Sequence, residues 1–554
     1  MARNKKANWL SMSLNGLFFL IPVCFSLYFF NRQFLFMEEV FQGFFLDEKI
    51  TDLYLEADHG CFISSILMKI FASFLPLSIG FHPSDNLFGI AFMGFNASIL
   101  IFVISKFAVE SSRRRGFFYP LMFYVTTTFL FFTFFLIQEG NIYHLFTVYS
   151  RHFRYLFFMI FYCVFWLYFY KWWSTKEKVK IGKLVLMCFV SFVVGLSSEP
   201  VSICTFASLF LFFFCSFFFF RAKIDSIEKL RKLFIKKRVL RRLLSVLLPV
   251  FFFLLGFLLL FSHPSFHSIA GERCLADGNS EKTLGSFFLL VADFIPLWFK
   301  YTFVLYGKAI LASGVLFLSV LLLLISRDRK TLKTVLFSWL LLMGTIIFRL
   351  SLIMTKKHYS DTSIYWFDSV FLRFVSSLIF IIVLALLFGR LVNILHNKKR
   401  LKVLSLIITT AICLSSVFYF YYIWKTVGSE YLFNIKSETE KSRQLWYMSE
   451  KMYLFYNEKK EVAKLPYSIR KDPLSEWEFC DQNYDYVVKS AFLDHYIVAI
   501  YKKKREEIVS IKLVPDQIAI KEFYKRGGTF AENEVKEAKY TRLLDKNFVV
   551  NKEE

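Results

Sequence analysis

Residues 184–220 have the sequence LVLMCFVSFVVGLSSEPVSICTFASLFLFFFCSFFFF, and this stretch decides the class of fold. Two apolar blocks of the kind that cross a hydrocarbon core of roughly 30 Å flank a short polar break. The break ends in Glu199 and Pro200. Proline suits the first turn of a helix, and the residue before it disfavours helical geometry. The pattern therefore predicts two membrane helices joined by a tight turn, with one long kinked helix as the alternative.

Apolar blocks of this kind recur along most of the chain. Apolar residues make up 56% of the 554 residues, and 74 residues are Phe, which is more apolar surface than a soluble protein uses. We predict an all-α polytopic membrane protein with about eleven transmembrane helices. The predicted spans are roughly 9–30, 86–107, 117–137, 143–170, 184–198, 201–220, 243–262, 309–326, 334–353, 369–392 and 403–424. Two further apolar stretches, 61–80 and 286–305, carry charges and are predicted to be interfacial helices.

The positions of the charges predict the orientation. The net charge of +25 comes largely from short segments between the blocks, without a basic stripe that would indicate nucleic-acid binding. With the N-terminus inside, the predicted inner segments hold 31 Lys and Arg residues and the predicted outer loops hold 10. This asymmetry follows the positive-inside rule. One continuous helix over 184–220 would reverse every later loop, so the charge pattern favours the turn at Glu199.

The composition changes after Trp424. Residues 425–554 are charged and contain no spanning block, so we predict a small soluble α+β domain on the extracytoplasmic side. Ser437 and Glu440 form a predicted capping box before a helix. Predicted strands follow at 484–488, 496–501 and 508–514. The chain would thus consist of a multi-spanning domain, 1–424, and this soluble domain, 425–554.

The cysteines indicate no metal site. No spacing typical of zinc ligands occurs. Six of the nine lie in apolar blocks and are predicted to be small core residues: Cys24, Cys163, Cys188, Cys204, Cys215 and Cys413. The other three fall in predicted outer segments, and a disulfide among them is left open: Cys61, Cys274 and Cys480.

Acidic residues gather in the first predicted outer loop. Seven carboxylates lie within residues 38–58, and such crowding requires pairing, metal binding or protonation. Glu38 and Glu39 stand among apolar residues, which would raise a carboxyl pKa and suit a general base; a solvated acidic loop is the alternative. His59, beside Asp58, precedes an interfacial helix and could bind a phosphate or orient a carboxylate; a residue that only starts the helix is the alternative. Glu199 could face a cavity or cap its own helix.

Four cationic side chains are candidates for a phosphate site near the outer surface. Arg349 and Arg373 lie at similar predicted depth on neighbouring spans, and arginine binds two phosphate oxygens through its fork. Arg273 and His358 lie in predicted outer loops. Snorkelling to lipid headgroups or a local ion pair is the alternative for each of them.

Four stretches resemble segments of the GT-C glycosyltransferase superfamily, and more closely an uncharacterised bacterial GT-C-like family. They are EADHGCFISSIL (56–67), GLSSEP (195–200), AGERC (270–274) and HYSDTSIYW (358–366). The likeness covers residues 1–424 and is loose. Cys61 stands where the family pattern has Arg, Ser198 and Glu272 stand where it has Asn, and the loop at Asp361 lacks an Arg.

The resemblance implies an enzyme of the bacterial plasma membrane. It implies that Glu38 or Glu39 is the catalytic base, that the donor is a sugar on a polyprenyl phosphate in the membrane lipid, and that the acceptor is an envelope glycan, lipid or protein. Whether a divalent cation, Mg or Mn, takes part is left open, as are the sugar and the acceptor. A glycan polymerase or ligase and a lipid-linked-sugar transporter or flippase are the alternatives.

Overall fold

The structure is a computed structural model, and the residues that it describes are almost all helical. It describes residues 20, 24, 87–114, 116–137, 156–174, 180–197, 199–221, 237–262, 309–326, 328–355, 370–428, 454, 455, 458, 463–467, 511–515 and 523–528. Ten long helices are described: α1 (Leu87–Ser112), α2 (Phe118–Ile137), α3 (Phe158–Ser174), α4 (Ile181–Gly195), α5 (Glu199–Arg221), α6 (Lys237–Phe261), α7 (Ala309–Ile325), α8 (Arg329–Thr355), α9 (Val370–Asn397) and α10 (Lys402–Ile423).

Each of the ten helices overlaps one predicted span, because an apolar block too long for a strand satisfies its backbone in the membrane by forming a helix. Among the described residues, four segments are long and apolar enough to cross a membrane by length and composition: Gly94–Ser112, Leu243–Phe261, Ser377–Asn397 and Lys402–Thr426. The described helices are therefore those of a helical membrane protein. The count of eleven spans stays a prediction, and the first span lies outside the described residues except for the helical Leu20 and Cys24.

The predicted turn between the fourth and fifth helices is confirmed. Helix α4 ends at Gly195, and α5 begins at Glu199. The Ser202 hydroxyl on α5 donates to the carbonyl of Gly195 at 2.9 Å, which closes the turn. Near the start of α4, the Lys183 ammonium lies over the Tyr168 ring of α3. Near the end of α5, the Phe212 ring contacts Trp172, which lies one turn further along α3. The two helices are therefore an antiparallel hairpin beside α3.

Large apolar side chains face outward on several helices. Ile181 on α4 is 81% exposed, Leu324 on α7 is 76% exposed, and Val403 and Phe418 on α10 are each 68% exposed. In water this surface would cost about 25 cal/mol for each Å², whereas lipid tails remove that cost. The outward faces are accordingly suited to contact with lipid.

Glycines allow two helix pairs to approach at backbone distance. A Cβ atom on Gly195 of α4 would lie 2.8 Å from the backbone nitrogen of Phe257 on α6, and one on Gly256 would lie 3.1 Å from that of Leu196. A Cβ atom on Gly389 of α9 would lie 2.9 Å from the Cα atom of Ala108 on α1. Small residues have this role in membrane helix packing, where tight contact replaces the hydrophobic driving force.

Two described strands follow the helices. Strand β1 (Ala463–Tyr467) pairs in parallel with β2 (Ile511–Pro515). Strand β2 overlaps the predicted strand at 508–514, whereas β1 was not predicted. The other predicted strands and the capping box lie outside the described residues. The cysteine predictions are confirmed for the buried Cys163, Cys188, Cys204 and Cys413, while Cys215 is half-buried. The prediction for Cys24 was wrong, because its side chain is exposed.

Candidate functional site

Several helix ends meet at one end of the helical bundle, here called the basic end. It comprises the C-terminal ends of α1, α3 and α9 and the N-terminal ends of α2, α8 and α10. The Arg114 guanidinium after α1 donates to the Asn397 side-chain oxygen of α9 at 2.5 Å. The Trp173 indole of α3 donates to the Lys333 carbonyl of α8 at 3.1 Å, and the Lys333 ammonium donates back to the Trp173 carbonyl at 3.0 Å. These contacts join segments that the charge count places on the inner side.

Arg390 is the most buried cation of the basic end. It is 4% exposed and forms an ion pair with Asp328, which precedes α8. Its Nε atom donates to the Thr331 hydroxyl at 3.0 Å. When the Asn393 amide is oriented to satisfy both of its atoms, its oxygen accepts from Arg390 at 2.8 Å and its nitrogen donates to the Ser112 carbonyl at 3.0 Å. A buried guanidinium needs such partners, so Arg390 fastens α9 to α8 and, through Asn393, supports the bond from α9 to α1.

The Asp328 carboxyl responds to these contacts. Burial on its own would raise its pKa, but the hydrogen bonds from Thr331 and the charge of Arg390 outweigh burial and lower the pKa. Asp328 therefore stays ionised and keeps Arg390 paired. A second ion pair, between Lys171 of α3 and Glu110 of α1 at 2.6 Å, lies at the same end.

A hydroxyl and an imidazole link α2 to α9 and α10. The Tyr119 hydroxyl is hydrogen-bonded to Nδ1 of His396 at 2.9 Å and to the Ser405 hydroxyl at 3.2 Å. Tyr119 is buried, and its ring meets the His396 ring edge-on. These three residues form a hydrogen-bonded polar cluster that joins α2, α9 and α10.

The opposite end contains three of the predicted site residues. The Phe212 ring of α5 lies 6.3 Å from the Phe337 ring of α8, and Ser208 contacts Gly344 further along, so the two helices run antiparallel. Measured along the helix axis, Glu199 lies about 20 Å from Phe212, and Arg349 lies about 18 Å from Phe337. Both residues lie on the side of this ring contact that points away from the basic end. The backbones of Glu199 and Arg349 are therefore at nearly the same level.

Arg373 on α9 lies at a similar level. Helices α8 and α9 pack together, and Arg390 bonds Thr331 at the basic end. Arg349 lies about 27 Å of helix from Thr331, and Arg373 lies about 26 Å from Arg390. One carboxylate-bearing and two guanidinium-bearing positions thus share the end away from the basic end, which is an arrangement suited to an anionic substrate.

The other predicted site residues are Glu38, Glu39, Asp58, His59, Arg273 and His358, and all of them lie outside the described residues. So do Cys61, Cys274 and Cys480. Within the described ranges, no group of three His, Cys, Asp or Glu residues could hold a metal ion. No family model matches this chain, and neither a curated protein nor a solved structure shows significant similarity to it.

The sequence reasoning missed the network at the basic end. The charge pattern alone assigns Arg390 to a basic inner segment, although an arginine at the end of an apolar block needs a partner. That rule would have selected Arg390 but not Asp328, because the two residues are 62 positions apart. The partners Arg114 and Asn397 carry no signal of their pairing in a single sequence.

Proposed function

We propose that the chain is a glycosyltransferase of the plasma membrane that transfers a sugar from a polyprenyl-phosphate carrier to an envelope glycan, lipid or protein. In this proposal the chain has about eleven spans, the basic end faces the cytoplasm, and the soluble domain at 425–554 is extracytoplasmic. The observation that carries the proposal is the shared level of Glu199, Arg349 and Arg373 at the end away from the basic end.

The two arginines suit the carrier. A polyprenyl phosphate has its phosphate at the membrane surface, and a guanidinium binds two phosphate oxygens at once. A cation beside the phosphate also stabilises the charge that develops when the sugar leaves. Arg349 and Arg373 lie on packed neighbouring helices, so one phosphate could lie between their positions.

The acidic loop at 38–58 would supply the base. Glu38 or Glu39 removes the proton from an acceptor hydroxyl, and the acceptor oxygen forms a bond to the anomeric carbon. The bond from that carbon to the phosphate oxygen breaks, and polyprenyl phosphate leaves with its electron pair. A single displacement of this kind inverts the configuration at the anomeric carbon. In this scheme, Glu199 would orient the sugar hydroxyls.

The test is substitution of the proposed base in the host organism. Glu38→Gln, Glu39→Gln and the double variant keep the size of the side chains and remove the charge. We expect at least one of the single variants to lose the surface-glycan modification by a factor of about 100 or more, the usual contribution of a general base. Glu48→Gln in the same loop is the matched control and should keep the modification.

The outcome also separates the alternatives. Unchanged surface glycan in the double variant at normal protein level would contradict the proposal. Shortened chains, rather than loss of one sugar, would indicate a polymerase or ligase. Accumulation of the lipid-linked sugar on the cytoplasmic leaflet would indicate a transporter or flippase. Arg349→Gln and Arg373→Gln should each weaken use of the carrier, whereas Arg329→Gln at the other end should not.

A further inference from the structure

A second cationic group lies at the basic end and is separate from the proposed catalytic end. The Tyr119 hydroxyl joins His396 of α9 to Ser405 of α10, so Lys402, which begins α10 three residues before Ser405, lies beside the end of α9. Asn397 accepts the hydrogen bond from Arg114 at 2.5 Å. We define the basic corner as Arg114, Asn397 and Lys402. It lies where the α1–α2 and α9–α10 connections meet.

The basic corner lacks a balancing carboxylate among the described residues. The two acidic side chains described at this end are already used, because Glu110 pairs with Lys171 and Asp328 pairs with Arg390. The Nε atom of Arg114 is buried and has no hydrogen-bond partner among the described residues. Because this atom is closed to solvent, an anion outside the bundle would instead meet the terminal nitrogens of the guanidinium.

The local backbone helps to place these cations. Arg113 has φ 56°, in the left-handed region, and so ends α1 and turns the chain toward α9. On the other connection, a single 3-10 turn over Lys399–Leu401 leads into α10. Both connections are short, so Arg114 and Lys402 are held close to the helices rather than on long loops.

An apolar surface continues directly from the basic corner. Val403, Leu404 and Ile407 on the first two turns of α10 are 68%, 41% and 57% exposed. Phe117, which precedes α2, is 37% exposed. A cationic group beside an exposed apolar helix face is complementary to a lipid that has an anionic headgroup and apolar tails. A free phosphate ion would use the cations and leave the apolar face uncovered.

We propose that the basic corner of Arg114, Asn397 and Lys402 binds the phosphate headgroup of an acidic phospholipid, whose acyl chain lies along Val403 and Ile407. The Arg114 fork donates to the phosphate oxygens, and the Lys402 ammonium neutralises the second charge. The bound lipid fastens α10 to the rest of the bundle. This proposal does not depend on the glycosyltransferase activity.

The experiment uses the full chain, purified in a mild detergent and titrated with dioleoyl phosphatidylglycerol in mixed micelles. Native mass spectrometry measures the fraction of chains that carry one lipid. We expect Arg114→Gln with Lys402→Gln to weaken binding about twenty-five-fold, since each basic residue near a membrane surface contributes roughly a fivefold factor. Lys180→Gln is the matched control, because Lys180 is also an exposed lysine at a helix start and lies outside the corner. Its binding should stay within about twofold of the parent chain.

Further variants and ligands keep the test decisive. Arg114→Lys keeps the charge and loses the fork, so we expect a loss smaller than that of Arg114→Gln. If the double variant is not monodisperse, the single variant Lys402→Gln is used instead, and we expect its affinity for phosphatidylglycerol to fall about fivefold. Unchanged binding of phosphatidylglycerol by a folded variant would overturn the proposal. Equal binding of phosphatidylcholine would overturn the charge selectivity, and displacement of the lipid by equimolar inorganic phosphate would indicate a free-phosphate site instead.

Discussion

Helices α9 and α10 follow each other in the chain and are similarly apolar, yet they occupy opposite environments. In an 18-residue stretch of Ser377–Asn397 the mean hydropathy is 2.7 and 94% of the stretch is buried, whereas in such a stretch of Lys402–Thr426 the mean hydropathy is 2.1 and 28% is buried. Helix α9 packs against α1, α2, α7, α8 and α10, while α10 packs mainly against α2 and α9. High hydropathy therefore indicates that a helix lies in the membrane, but it does not indicate which helix lies at the centre of the bundle.

A few small and polar residues account for the difference in burial between α9 and α10. Gly389 lets α9 touch the backbone of α1, and the Ser111 hydroxyl of α1 donates to the Leu386 carbonyl of α9 at 2.7 Å. Arg390 adds the bonds to α8. In a membrane, helices associate through close packing and hydrogen bonds, because lipid tails are as apolar as leucine. These contacts therefore explain the central position of α9.

The largest effect should come from filling the close contact between α9 and α1. Gly389→Leu would drive a side chain into the backbone at Ala108, which cannot move as a flexible side chain could. We expect a loss of stability of about 3 kcal/mol or more, because overpacking of a tight contact shifts whole helices. Unfolding of the purified chain by increasing sodium dodecyl sulfate in mixed micelles measures this loss.

Gly314→Leu on α7 is the matched control for that variant. A Cβ atom on Gly314 would meet no heavy atom within 4 Å of the described structure, so the same substitution should have little effect there. Equal losses of stability in the two variants would contradict the central position of α9.

A smaller difference in stability is expected between alanine substitutions at two leucines, one on α9 and one on α10. Leu386 on α9 is 0% exposed, and Leu414 on α10 is 52% exposed. We expect Leu386→Ala to cost about 2 kcal/mol, because it leaves a cavity between helices, and Leu414→Ala to cost less than about 0.5 kcal/mol, because lipid can fill the space. The same unfolding measurement compares them, and a larger cost at Leu414 would place α10 inside the bundle instead.

The sequence predicted the helices well and their neighbours poorly. Apolar blocks determine where a helix can cross, and the Glu199-Pro200 pair correctly marked the break between α4 and α5. The uniform apolar composition of α9 and α10 gave no sign of which helix would be buried. The pairing of Arg390 with Asp328 depends on a helix neighbour that is distant in the sequence, and local periodicity does not encode it.

For the candidate site, the sequence predicted that two arginines lie at a similar depth in the membrane. Arg349 and Arg373 were expected at similar depth on neighbouring spans, and the packing of α8 on α9 agrees with that expectation. The depth follows from counting residues from the ends of the apolar blocks. The Arg114–Asn397 contact could not be predicted in this way, because it depends on how two separate connections meet at one end of the bundle.

The orientation of the two bundle ends is the central claim, and labelling of introduced cysteines tests it most directly. Gly116→Cys lies at the basic end and Ser262→Cys lies just after α6 at the other end, and both parent residues are exposed. Intact cells are treated with a membrane-impermeant maleimide, and the signal of the parent chain is subtracted. We predict that Ser262→Cys is labelled in intact cells and that Gly116→Cys is labelled only after permeabilisation. The reverse pattern, or labelling of both in intact cells, would contradict the account.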